Sequence, residues 1–259
     1  MEQEICISNL EKVYPNGLKA LNGVGFNVPK GTLFALLGPN GAGKSTLVKI
    51  LTSLEKPTAG QIQIGGISPL SNFAAFQQYI GVVSQENELD TTETVEHLLR
   101  FQGKLFGLSA SHSEHRANEL IFQFGLTNER NKRAATLSGG NRRRLHCALA
   151  LVHKPKVLFL DEPTVGMDPL ARETFWQIIS TQNKEFGVTV FLTTQYLDEA
   201  DKHASQMALI IDGMLHFNGL VPDFKRMVNP SNVNTLEDSY IAYIRSLNLT
   251  SSQVNEEDK

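Results

Sequence analysis

Short apolar runs, punctuated by glycine and proline, alternate with stretches of helical spacing along the chain. Residues 32–37 form one such run; a glycine-rich segment follows, and residues 46–54 have the spacing of a helix. This is a strand–loop–helix junction. Residues 157–160 are apolar without alternation, the pattern of a strand buried on both faces of a parallel sheet. Further strands are predicted at 80–83, at 188–192 and from Met207, with hairpin strands at 23–28 and 61–64. Between about 87 and 136 strand signals vanish. There Val95, Leu98, Leu99, Gln102 and Phe106 mark one helical face, interrupted only by Gln102, while Ala117, Leu120, Ile121 and Phe124 repeat at i, i+3, i+4, i+7 on another. The pattern predicts an α/β protein with a mostly parallel core sheet, an antiparallel β subdomain and an α-helical insertion at about 87–140. The main domain is expected over 1–220, followed at 221–259 by a short helical extension and a polar tail. Thr235, with Glu237 and Asp238 behind it, reads as the N-cap of that helix, and residues 250–259 as a disordered end.

Composition narrows the classes. At 259 residues the chain can bury one sizeable core, and 41% apolar with 20% charged residues is ordinary for a soluble globular protein. No apolar run approaches the ~20 residues that span a bilayer. The first residues, Met1 to Glu4, are acidic and lack a signal-peptide core. A cytoplasmic chain is expected, with any membrane-crossing part on another polypeptide. Cys6 and Cys147 each sit within an apolar element and read as reduced core residues. Net charge is −3, opposite to the footprint of a nucleic-acid binder, so the run Arg142 to Arg144 reads as a solvated helix face. His112 and His115 lie in a serine-rich segment without cysteines and read as solvent-facing.

Two segments carry phosphate chemistry. Gly38-Pro39-Asn40-Gly41-Ala42-Gly43-Lys44-Ser45-Thr46 occupies the strand–helix junction. Its glycines let backbone N–H groups turn inward around phosphate oxygens, and the following helix points its positive end there. Lys44 is positioned for the β- and γ-phosphates of a nucleotide, and the Ser45 hydroxyl for Mg²⁺. The strand at 157–160 delivers Asp161 and Glu162, then Pro163. Asp161 suits a Mg²⁺ shell, and Glu162 suits a base that orients and deprotonates water. Together they indicate a P-loop nucleoside triphosphatase using Mg²⁺.

A third segment sets the kind. Leu137-Ser138-Gly139-Gly140-Asn141 opens a basic helix at 141–152, a second anion-facing helix end in a chain with only one Walker lysine. In these motifs and their order, from about residue 5 to about 219, the chain resembles the ATP-binding subunit of an ABC transporter, in the branch of drug, antibiotic and polysaccharide exporters. The resemblance implies that Ser138, Gly139 and Gly140 bind the γ-phosphate of ATP held by a second subunit. It implies a homodimer, and a separate multispanning permease met by the helical insertion. Tyr14 stands where the family stacks adenine, though a strand-edge tyrosine is a serious rival. Gln85 matches the glutamine that senses γ-phosphate and Mg²⁺, and Asp168, within Gly166-Met167-Asp168-Pro169, the loop facing the other subunit. Thr193-Thr194-Gln195-Tyr196 matches the switch loop, with Gln195 where histidine is usual. An amide cannot titrate but still offers two N–H donors.

Two other readings remain open. One is a soluble ABC ATPase, for example in iron–sulfur assembly; the other is a regulatory module that binds ATP without hydrolysing it. Intact Lys44, Asp161 and Glu162 weigh against the second. If the Gln195 amide assists turnover, Gln195→Leu removes that donor and lowers the ATP hydrolysis rate, by up to the ~10²–10³-fold typical of a deleted transition-state donor. A steady-state rate equal to that of the parent chain would remove the amide from the chemistry.

Overall fold

The computed structural model describes residues 2–84, 89–228 and 235–257, with side chains through residue 247. In chain order the elements are β1 (Gln3–Val13), β2 (Lys19–Pro29), β3 (Leu33–Leu37), α1 (Lys44–Leu51), β4 (Ala59–Ile64), α2 (Phe73–Tyr79) and β5 (Ile80–Val83). The helical insertion follows as α3 (Val95–Leu105), α4 (Ala110–Gln123) and two 3-10 turns, Thr127–Glu129 and Ala134–Thr136. Then come α5 (Gly139–Ala150), β6 (Val157–Asp161), α6 (Pro169–Phe186), β7 (Thr189–Thr193), α7 (Leu197–His203), β8 (Gln206–Ile211), β9 (Met214–Leu220), α8 (Val221–Val228) and α9 (Leu236–Glu257).

The described strands form two sheets. The larger runs β5-β6-β7-β3-β8-β9, parallel throughout except for β8–β9. Its central strands are buried on both faces, which is why they read as unbroken apolar runs. Alternate residues feed different cores. Phe34, Phe159 and Phe191 face the antiparallel sheet and α1, while Leu158, Leu160, Val190 and Leu192 face the layer of α3, α4, α5 and α6. Phe34 lies stacked between Phe26 and Phe191, with centroids 5.4 Å from each, and so joins the two sheets.

Several expectations need correction. The segments at 23–28 and 61–64 are not hairpin partners, because β1 lies between β2 and β4 and pairs antiparallel with both. The helix after the glycine-rich loop starts at Lys44 and ends at Leu51, where Ser53 turns to φ 61°. The helix behind Ser138 begins already at Gly139 and stops at Ala150. On α3 the buried face continues through Gly103, packed on Ser113, while Gln102 and Phe106 are only half-buried.

The C-terminal helix is not short. With neither glycine nor proline between Leu236 and Glu257, α9 runs across the expected tail. Its start is fixed twice. Thr235 Oγ accepts from the Asp238 N–H at 3.1 Å, and Asp201 accepts from the Leu236 N–H at 2.9 Å while pairing with Lys225 at 2.8 Å. Phe224, Leu236, Tyr240 and Tyr243 thereby cover β3 and β8 near α7.

Phe34→Ala opens a cavity where both sheets meet. It should cost ~3–5 kcal/mol, read as a lower midpoint in urea with an unchanged slope.

Candidate functional site

Parallel pairing brings the strand ends carrying the motifs together. β3 leads into the glycine-rich loop, and its neighbour β7 pairs with β6 so that Asp161 stands opposite Thr193. The loop is tightly seated. A methyl group on Gly38 would lie 2.1 Å from the Ile210 carbonyl, and one on Gly43, at φ 100°, 2.5 Å from the Ala20 carbonyl. Only glycine fits either place. Lys44 is buried, and its Nζ donates to the carbonyls of Gly38 at 2.7 Å and Pro39 at 3.0 Å. Burial lowers its pKa, while Glu162 and Asp161 nearby oppose the shift.

Among the described residues, a cleft of about 480 Å³ is lined by Tyr14, Asn40, Gly41, Gly43, Lys44, Ser45, Thr46 and Glu162, with residues 18–20, 212 and 213 on its rim. Tyr14 lies with its hydroxyl 3.3 Å from Thr46 Oγ and Lys12 over its ring. Ala42 is buried beneath the loop, and Pro39 and Gly38 are half-buried. Thr193 donates its hydroxyl to Asp161, and the Glu162 N–H donates to the Thr193 carbonyl at 3.0 Å. Glu162 itself is held in the left-handed region, at φ 45°. Gln195 is exposed two residues beyond Thr193, and Gln85 lies outside the described residues.

Ser138, Gly139 and Gly140 do not join this cleft. Ser138 caps α5, accepting from the Asn141 N–H at 3.2 Å, and it and Gly139 are exposed. Gly140 abuts Ala171 of α6. Asp168 caps α6, accepting from the Ala171 N–H at 2.9 Å, with Pro169 at the first turn and Gly187 closing the helix.

Two buried charges were missed by the sequence reading. Arg143 is not on a solvated face: it is 4% exposed and donates to the carbonyls of Ser84, Asp161 and Pro163. The usable signal was its i, i+4 spacing to Cys147, which is fully buried with its thiol pushed up to about 12. Arg144 is half-buried and bonds the Phe124 carbonyl and Asn141. Glu199, also buried, accepts from the Thr164 hydroxyl at 2.8 Å and the Thr194 hydroxyl at 3.4 Å, with Arg172 at 3.5 Å. It ties the loop after β6 to the loop after β7, and burial raises its pKa.

A groove of about 380 Å³ separates the helical insertion from the core, lined by Ile80, Val82, Leu89, Phe106, His146 and His153, among others. Phe106 stacks on His153 at 3.8 Å, and Leu54, at the rim, is 72% exposed.

This sheet, loop and acidic strand end define a P-loop nucleoside triphosphatase. A family model described as ABC transporter matches residues 21–165. The chain is 40% identical over 225 residues to the doxorubicin resistance ATP-binding protein DrrA of Mycobacterium tuberculosis strain H37Rv, covering 86% of this chain and 68% of that protein. It is 35% identical over 245 residues to the linearmycin resistance ATP-binding protein LnrL of Bacillus subtilis strain 168, covering 92% and 78%. A solved ATP-binding subunit of an ABC transporter superimposes with TM-score 0.82 at 26% identity, covering 92% of this chain and 98% of that one. The dimeric, post-hydrolysis cassette MJ0796 bound to ADP and Pi gives 0.76 at 26% identity, covering 83% and 98%. The chain belongs to the ABC transporter family. It is an ATP-binding, ATP-hydrolysing subunit of the kind that couples hydrolysis to transport through a separate membrane subunit.

His146, in α5, has its pKa depressed to about 4 from 6.5, first by burial and then by the charge of Arg143. Its folded-state pKa lies below the unfolded one, so its contribution to stability is present above pH 6.5 and lost as pH falls toward 4. His146→Leu should therefore lessen the acid-side slope of the stability profile in urea titrations, with His153 and His203, also depressed by burial, still contributing.

Proposed function

We propose that this chain is the ATPase subunit of an exporter of antibiotic-like compounds, working as a homodimer on the cytoplasmic face of a multispanning permease. One observation carries the reading. Lys44 and Glu162 line one cleft, while the start of α5, with Ser138 and Gly139 exposed, stands outside it. A helix end facing away from its own chain's site suits ATP held by another copy. The exporter direction and cargo class rest on the relatives, whose names concern doxorubicin, daunorubicin and linearmycin resistance.

The residues fit ATP with Mg²⁺. Ser45 is exposed toward the cleft and Asp161 ends β6, two strands from β3 in the sheet, so the donors are hard oxygens suited to Mg²⁺, with Gln85 expected to join them. When bound, Mg²⁺ would neutralise charge on the β- and γ-phosphates. The loop of Gly38, Pro39, Asn40, Gly41, Ala42 and Gly43 offers backbone N–H groups, and Thr46 continues the helix start. Lys44, swinging from its two carbonyls, meets the β- and γ-phosphates, and Tyr14 offers its ring to adenine. Glu162 takes the proton of the attacking water, and Gln195 donates to the γ-phosphate from the strand end beside it. Asp168 fixes the loop that faces the second subunit.

The groove beside the helical insertion, apolar at its wall and with Leu54 exposed at its rim, fits an amphipathic helix of the permease. Among the described residues no helix is long and apolar enough to cross a membrane, which agrees with a separate membrane subunit.

Glu162→Gln tests the whole reading. With ATP the variant should keep its nucleotide, run as a dimer on gel filtration, and turn over ~10²–10⁴-fold more slowly than the parent. Used as bait in detergent-solubilised native membranes, it should capture a multispanning protein in stoichiometric amount. Soluble partners alone would favour the iron–sulfur-assembly type of ATPase.

A further inference from the structure

Glu162 sits on backbone that a non-glycine residue adopts only under constraint, at φ 45°. Such positions are strained and persist only where the surroundings hold them. Here Thr193 takes the Glu162 N–H on its carbonyl and, at 3.2 Å, on its hydroxyl, and the flanking carbonyls are held by Arg143. The Arg143 guanidinium, 4% exposed, donates to the Asp161 carbonyl at 2.9 Å and to the Pro163 carbonyl at 2.8 Å, the carbonyls on either side of Glu162. A third bond, at 2.5 Å, reaches the carbonyl of Ser84, which immediately precedes Gln85. Arg143 itself lies one turn into α5, at whose start Ser138 and Gly139 are exposed.

We propose that Arg143 is a positioning residue for ATP hydrolysis: it clamps the strained backbone at Glu162 and ties it to α5. The assignment rests on Glu162 being the base. It adds a mechanical link from the surface expected to meet the second subunit to that base and to the segment leading to Gln85. Charge-assisted bonds to three carbonyls from a rigid planar fork favour one geometry, and lysine cannot reproduce the fork. A shift of α5 on dimer closure would thus be transmitted to the peptide groups flanking Glu162.

The test is a double-mutant cycle in the full chain. Arg143→Met should lower kcat ~10²-fold, with the dissociation constant for ATP changed less than ~3-fold, because the clamp acts on the base and not on the nucleotide loop. In a Glu162→Gln background the same substitution should change the residual rate less than ~3-fold, since nothing remains to be positioned. Equal fold losses in both backgrounds, or a parallel loss of ATP affinity, would mark Arg143 as a general structural prop and overturn the proposal. Should Arg143→Met not fold, Arg143→Lys carries the same cycle with the same criteria. Amide hydrogen exchange gives a readout independent of the base assignment. In Arg143→Lys, exchange should speed up at Glu162, Thr164 and Val165 and stay unchanged at Phe159 and Val190; unchanged exchange at all three would also overturn the clamp. If Glu162→Gln alone hydrolysed at the parent rate, the base assignment would fail while the exchange result still judged the clamp.

Discussion

The parallel pairing of β3, β7 and β6 is the constraint on which the rest depends. Three consecutive strands of the sheet, widely separated in sequence, end at one edge. A glycine-rich loop leaves the first, a switch-like loop the second and an acidic pair the third. Open α/β sheets bind ligands beyond the carboxyl ends of their strands because helices cover both faces and only the edge stays accessible. The apolar alternation that sends Phe34, Phe159 and Phe191 to one core and Leu158, Val190 and Leu192 to the other fixes the register. A slip of one residue would invert every one of these side chains. The chemistry at the strand ends is therefore anchored by packing well below it.

Above that anchor the loops are joined by buried polar groups, not by apolar contacts. Arg143 bonds three carbonyls, and Glu199 bonds two threonine hydroxyls from neighbouring loops. Burying either charge costs desolvation, reflected in the lowered pKa of the arginine and the raised pKa of the glutamate. Hydrogen bonds to charged groups return ~1.5–3 kcal/mol each, so such joints need several partners to hold. Apolar packing would tolerate sliding, whereas directional bonds fix the loops at one separation and orientation. That difference matters where, on the proposed reading, Glu162 and Gln195 act in one small volume.

What the sequence disclosed follows the same division. The loop 38–46 and the strand ending at Asp161 were legible because their chemistry demands particular residues on particular backbone. The fold class followed from the unbroken apolar runs. The pairing of β2 and β4 with β1 was not legible, since adjacency in a sheet is a tertiary fact and β1 alternates only weakly. α6 announced itself by Asp168-Pro169 at its start and Gly187 at its end, signals that were passed over. Arg143 was misread because a run of three arginines looks solvated. Only the fold reveals that three loop carbonyls converge on the middle one.

The exposed start of α5 has an energetic consequence on the proposed reading. Ligand-driven closure requires that ATP bind the closed pair more tightly than the open one. Moving the pair from mostly open to mostly closed needs ~5.5 kcal/mol of such preference. Two nucleotides, each held across the interface, divide that requirement, so each signature end must supply roughly half, on the order of one or two charge-assisted hydrogen bonds. The backbone N–H groups at Ser138 to Gly140 are sufficient in number for this. The side chain of Asn141, turned toward Arg144 within its own helix, is then free to differ from the glutamine frequent in the family without loss of closure. On the same reading the departure at Gln195, just beyond β7, is of another kind, bearing on the rate of hydrolysis and not on closure.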